Sequence, residues 1–172
     1  MPRNVEFKAR IDSVEALVPR AAAIADRGPI AIEQDDTFFA CANGRLKLRT
    51  FANGEGELIF YRRADDAGPR TSFYVRSPAT DPGSLRECLA LAHGATGRVQ
   101  KHRTLFLVGR TRVHLDRVRE LGDFVEIEVV LDADEPSEAG VAEAHRLMAQ
   151  LGVDAADLLE GAYVDLLARR RG

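Results

Sequence analysis

Residues 44–63 read GRLKLRTFANGEGELIFYRR. In the first half Arg45, Lys47 and Arg49 alternate with Leu46 and Leu48; in the second, Tyr61 and Arg63 alternate with Phe60 and Arg62. Side chains two residues apart share one face of a strand, so the stretch predicts strands over 44–51 and 57–64. Between them the run Asn53-Gly54-Glu55-Gly56 supplies residues that tolerate positive φ, as a hairpin turn requires. The polar face of the first strand carries cations only. Like charges facing each other across a sheet destabilise it, so something must offset the repulsion, and a bound polyanion would do so.

Working outward, the same period of two recurs near 4–11, 33–41, 70–77, 97–108, 110–117 and 123–131, making eight candidate strands. Asn4, Glu6, Lys8 and Arg10 share a face opposite Val5, Phe7 and Ala9. Arg70, Ser72, Tyr74 and Arg76 stand against Thr71, Phe73 and Val75. Lys101 pairs with Arg103 on one face, Arg112 with His114 and Asp116, and Glu126 with Glu128 opposite Val125, Ile127 and Val129. Asn43-Gly44 and Gly109 add two more turn signals. Helices are predicted over 13–27, ending at Gly28 and kinked or shortened by Pro19, over 83–93 behind Asp81-Pro82, over 137–151 before Gly152, and over 154–169. The closing Arg169-Arg170-Arg171 suits the negative end of a helix dipole.

Two architectures satisfy this pattern. One is a sheet with a solvated face. The other is a barrel of about eight antiparallel strands, wide enough to hold one small ligand. In the barrel the charged faces would line a wet, basic tunnel, because that many ionised groups cannot be buried dry, and the apolar faces would lie outward under the helices. The sorting of signs favours the tunnel, since a merely soluble face mixes charges. The alternation itself does not say which face is inside.

Composition bounds the rest. The 172 residues carry 24 Lys and Arg against 27 Asp and Glu, a net charge of −3. That size suits one domain spanning 1–172, and the charge argues against a basic nucleic-acid binder. No run approaches a membrane span. The charged start lacks an apolar signal core, so the chain is expected to be cytoplasmic. Cys41 and Cys88 are far apart without metal-ligand spacing and read as reduced, partly buried thiols. A P-loop, a zinc-type Cys/His cluster and a Gly-x-Ser-x-Gly elbow are all absent.

These residues resemble the CYTH superfamily of triphosphate tunnel proteins, which includes class IV adenylate cyclases and thiamine triphosphatases. The resemblance runs from residue 3 to about 131, with a looser match at Tyr163-Val164-Asp165-Leu166-Leu167. It is carried by Asn4-Val5-Glu6-Phe7-Lys8, similar to an N-terminal E-x-E-x-K signature, and by Gln34-Asp35-Asp36-Thr37-Phe38-Phe39. Further pieces are Gly44 to Arg49, Glu57 to Arg63, Lys101-His102-Arg103, Arg112 to Asp116 and Phe124 to Glu128. Position 4 is Asn where the signature has its first Glu, which removes one candidate metal ligand.

The resemblance implies an α+β fold: a closed antiparallel eight-stranded β-barrel, the triphosphate tunnel, with helices packed outside. It implies that Lys8, Arg45, Lys47, Arg49, Arg63, Lys101, Arg103 and Arg112 grip phosphate oxygens through charge-assisted hydrogen bonds, with Arg70, Ser72 and Arg76 as further candidates. Glu6, Glu126 and Glu128 would hold Mg²⁺ or Mn²⁺. Asp116 would either support the metal or pair with Arg112 or His114, and His114 reads as a satisfied strand histidine. Glu6, Glu128 and Lys8 are the implied catalytic groups. The implied activity is metal-dependent hydrolysis of a small triphosphate such as ATP, thiamine triphosphate or tripolyphosphate. Its alternatives are an adenylate cyclase releasing cyclic AMP and pyrophosphate, or a non-catalytic polyphosphate or nucleotide sensor. No nucleic acid or membrane partner is expected, and self-association into a homodimer stays open.

Overall fold

The structure is a computed structural model that describes residues 2–63 and 68–172; of Arg63 it describes the backbone alone. The strands are β1 (Arg3–Arg10), β2 (Arg27–Phe39), β3 (Arg45–Phe51), β4 (Gly56–Arg63), β5 (Arg70–Ala79), β6 (Ala95–Val108), β7 (Thr111–Val118) and β8 (Gly122–Leu131). The helices are α1 (Val14–Ile24), α2 (Pro82–His93), α3 (Ser137–Leu151) and α4 (Tyr163–Arg171). The strands close into an antiparallel barrel in the order β1-β5-β4-β3-β2-β6-β7-β8. Closure leaves no sheet edge unpaired, which removes the usual template for aggregation.

The alternation resolves with the charged rows inward. On β1, β7 and β8 the opposite rows are fully buried: Val5, Phe7, Ala9, Val113, Leu115, Val125 and Ile127 pack under Ala144, Leu147 and Leu151 of α3 and Val14 and Ala21 of α1. Close approach is obligatory there, because a Cβ on Gly140 of α3 would stand 2.7 Å from Leu131 and 2.8 Å from Val5. Local signals place the helix starts: the Ser13 hydroxyl accepts from the Ala16 N–H and the Asp81 carboxylate from the Ser84 N–H. No described helix is long and apolar enough to cross a membrane.

Three expectations need correction. The chain does not stay helical to 27: α1 ends at Ile24, running through Pro19, and β2 already begins at Arg27. Gly28 belongs to that strand, where φ is +117° and a Cβ would stand 2.7 Å from the Leu105 carbonyl of β6. The predicted 154–169 helix splits into a single 3₁₀ turn at Ala155–Asp157 and α4. Between them Leu158 bridges Ala9 and the Leu159 N–H donates to the Lys8 carbonyl at 2.9 Å, so pairing with β1 outcompetes helix propagation.

The apolar outer face is not covered everywhere. Helix α2 buries none of its residues, and Val75 on β5 is 45% exposed. Cys41 is half-buried and Cys88 exposed, both free thiols.

Candidate functional site

The barrel interior encloses a cavity of about 280 Å³, near the lower end of the roughly 300–1,000 Å³ typical of small-molecule sites. One end is apolar. There Phe38, Ile59, Tyr61, Val99, Val118 and Phe124 from the inward rows meet Ala162, Tyr163, Val164 and Leu167 of the α4 region. The Tyr163 hydroxyl donates to Asp116 at 2.8 Å, and Lys8 Nζ lies 3.9 Å from the centre of the Tyr163 ring and donates to the Gly161 carbonyl at 3.3 Å. The start of α4 therefore plugs the barrel and forms part of the cavity floor.

Among the described residues, seven Lys and Arg side chains line the cavity, namely Lys8, Lys47, Arg49, Arg76, Lys101, Arg103 and Arg112, against five carboxylates, Glu6, Asp36, Glu57, Glu126 and Glu128. The signs are unevenly distributed between two walls. On the wall built by β2, β3 and β6, the fully buried Asp36 receives Lys47 Nζ at 3.0 Å, Arg49 through Nε and Nη2 at 2.8 Å each, and Lys101 Nζ at 3.4 Å. One carboxylate serves three cations, so a positive excess remains. Burial alone would raise the Asp36 carboxyl, but Arg49, Lys101 and Lys47 hold it well below its usual range. Burial and the charge of Arg49 push Lys47 down to about 7, against the pull of Asp36. Burial, Arg49 and Arg103 likewise lower Lys101.

This wall makes stability depend on pH. Between about pH 7 and the ordinary lysine value of 10.5, the unfolded chain holds a proton on Lys47 that the folded chain has lost. The state binding more protons is then the unfolded one, so stability rises with pH through that window. Lys47→Met is expected to flatten the rise, measured as the difference in Tm between pH 7 and pH 10 for the two proteins. An unaltered slope would place the titrating group elsewhere.

The opposite wall, from β1, β7 and β8, concentrates carboxylates. Glu126 lies 3.4 Å from Lys8 and 3.5 Å from Arg103, while Glu128 lies 2.9 Å from Arg112. Burial would raise the Glu126 carboxyl, yet Lys8, Arg103 and Lys101 hold it well below its usual range. Glu6, 7% exposed, lines the same wall and is the register partner of Glu128. His114 Nδ1 stands 3.6 Å from Glu128. Burial, helped by Arg103, keeps its imidazole well below its usual pKa.

Ligand atoms of His114, Glu126 and Glu128 all fall within 4.8 Å of one another, close to the span of donors held about 2.0–2.6 Å from one hard divalent cation. The donor set therefore fits a divalent ion.

Of the residues the sequence nominates, Glu6, Lys8, Lys47, Arg49, Arg76, Lys101, Arg103, Arg112, Glu126 and Glu128 converge on the cavity, as does Ser72. Arg45 stands apart from the lining and grips Asp165 of α4 at 2.6 Å. Arg70 is buried beside Glu6 in the β1–β5 register but outside the lining. The Arg63 side chain lies outside the described residues. Asp116 sits behind the wall, held by both arms of Arg103 at 2.7 and 2.8 Å and by Tyr163. Its partner is thus Arg103 rather than Arg112 or His114.

The sequence reading missed Asp36, Glu57 and Tyr163. Asp36 shares its strand phase with Gln34 and Phe38, so the period-2 rule could have found it. Tyr163 carried no strand phase to reveal it.

Comparison with known proteins agrees with this geometry. The CYTH domain model matches residues 2–163. No curated protein matches the chain. Among solved structures, the PH1012 protein of Pyrococcus horikoshii superposes with a TM-score of 0.83 at 23% identity, over 95% of this chain and 98% of that one. A putative adenylate cyclase of Vibrio parahaemolyticus follows at 0.73 and 20%, over 96% and 97%. A putative adenylyl cyclase of Hippeastrum with a dominant triphosphatase activity gives 0.65 and 16%, over 100% and 96%. At such identities the superpositions speak for the fold, while the family model spans nearly the whole sequence. An eight-stranded closed barrel with a cationic wall facing a carboxylate wall, and a family model matched across it, make this chain a member of the CYTH family.

Proposed function

We propose that the protein binds a linear triphosphate along the cationic wall and hydrolyses its phosphoanhydride bond with the help of a divalent metal at the carboxylate wall. The observation that carries this reading is the single buried Asp36 shared by Lys47, Arg49 and Lys101. Their uncompensated charge sits inside a cavity, where a polyanion gains most from charge-assisted hydrogen bonds. Arg49, whose Nε and Nη2 are held by Asp36, keeps its Nη1 edge for a phosphate oxygen, and the two lysines act as point charges. Arg103 and Arg112, each held by a carboxylate, are oriented in advance and lose little freedom on binding.

Glu126 and Glu128, with Glu6 beside them, are the groups that would hold Mg²⁺ or Mn²⁺. Such an ion would supply Lewis-acid stabilisation of the charge that develops on the leaving group. The remaining work falls to the chain. A carboxylate of this wall orients water and takes its proton as the water oxygen bonds to the terminal phosphorus and the phosphoanhydride P–O bond breaks. Lys8, seated between Glu126 and the Tyr163 ring, reaches the oxygens nearest the plugged end. The triphosphatase activity of the Hippeastrum relative supports hydrolysis over cyclisation.

The test is to incubate the protein with ATP, thiamine triphosphate and tripolyphosphate plus Mg²⁺ or Mn²⁺ and identify the products. Orthophosphate is the expected result. Cyclic AMP with pyrophosphate would replace water by the ribose hydroxyl as nucleophile, and tight binding without turnover would make the protein a sensor.

A further inference from the structure

We propose that His114 supplies a nitrogen ligand to the metal at the carboxylate wall, so that the site selects Mn²⁺, Co²⁺ or Zn²⁺ over Mg²⁺. The ring sits in the middle of β7, in register with Glu126 on one side and Leu105 on the other. It is 5% exposed, and its Nδ1 has no hydrogen-bond partner. A histidine kept only to fill a strand position normally has its buried polar atoms satisfied. Here the orphan atom lies 3.6 Å from Glu128 Oε1, too long for a hydrogen bond, and a ring nitrogen of His114 falls within 4.8 Å of ligand atoms of both Glu126 and Glu128.

A buried ring nitrogen beside carboxylates, with no hydrogen-bond partner, is free to serve as a ligand to a cation. Its charged neighbours besides the carboxylates are Arg103 and Arg112, whose N–H groups are directed to Asp116 and Glu128. One imidazole and two carboxylates form a neutral set around a divalent ion. Imidazole nitrogen suits borderline first-row ions, whereas Mg²⁺ favours oxygen donors in strict octahedral geometry and gives up water reluctantly.

The inference rests on the metal-dependent reading for the location of the ion, but its test needs neither triphosphate nor turnover. The full-length protein, labelled with ¹⁵N-histidine, is titrated with MnCl₂ and measured by pulsed electron paramagnetic resonance. A resolved imidazole ¹⁵N coupling is expected, and it should vanish in His114→Asn, leaving the other three histidines without signal. Mn²⁺ affinity should fall about tenfold or more in that variant, while Mg²⁺ affinity, followed by competition, changes far less. Absence of the coupling in the wild-type protein overturns the proposal whether or not the variant folds. So does an equal loss of Mg²⁺ and Mn²⁺ binding, or a variant that loses tripolyphosphate binding in EDTA while keeping Mn²⁺, which would make His114 a phosphate donor. A protein that shows this coupling yet turns over no triphosphate would keep the inference and sink the hydrolase reading.

Discussion

Asp36→Asn is expected to destabilise the empty protein by about 3–5 kcal/mol, the usual cost of stripping a buried ion cluster of one partner. The carboxylate is fully buried and is the shared acceptor of Lys47, Arg49 and Lys101. Its amide isostere keeps the shape and loses the charge. Asp35→Asn, one residue away, is the natural control. That carboxylate pairs with Arg98 at an exposed site, and exposed pairs contribute only about 0–1 kcal/mol. Urea denaturation of the two variants should separate them clearly.

Two modulations follow from the same geometry. The cost of Asp36→Asn should shrink as pH rises, because Lys47 and Lys101 can shed their protons and Arg49 cannot. Tripolyphosphate should also rescue part of the lost stability, since an anion bound on that wall replaces the missing carboxylate and binding to the native state stabilises it. If Asp36→Asn cost no more than Asp35→Asn, the cationic wall would be balanced by something other than Asp36.

Glu128→Gln is expected to reduce turnover by on the order of 10²–10³-fold, the size of effect seen when one electrostatic partner of a transition state is removed. Triphosphate affinity should hold or rise, because a negative charge leaves the vicinity of a polyanion while Arg112, now released from its 2.9 Å pair, becomes available to phosphate. The split between kcat and Kd, read at saturating Mn²⁺ by product assay and calorimetry, is what identifies the role. A variant with wild-type turnover would remove Glu128 from the reacting centre. A variant with weaker binding and unchanged kcat would make it a support for Arg112.

The strand phases were legible residue by residue. Arg45-Leu46-Lys47-Leu48-Arg49 and Phe124-Val125-Glu126-Ile127-Glu128 each state their two faces in the sequence, and the inward cations and carboxylates lie on the rows read from them. Asp36 was equally legible in phase. Its role was not legible, because the three cations that surround it come from the flanking strands β3 and β6. Arg45 shows the limit of the phase rule: it shares a row with Lys47 and Arg49, yet position along the barrel carries it past the cavity to Asp165 of α4. Leu158 and Leu159 kept a helical pattern on paper, but pairing with β1 satisfied their backbone first.

What this sequence determined alone is the alternation, because successive side chains leave a pleated backbone on opposite sides whatever the chain is folded against. It also set the turns that let neighbouring strands pair. Only the tertiary structure decided which row faces inward, that Asp36 is shared by two flanking strands, that Asp116 is sealed behind Arg103, and that Tyr163 closes one end of the cavity. Those outcomes join residues up to 153 positions apart, as between Lys8 and Gly161. They follow from barrel closure and from the packing of α1, α3 and α4, long-range contacts that no local period encodes.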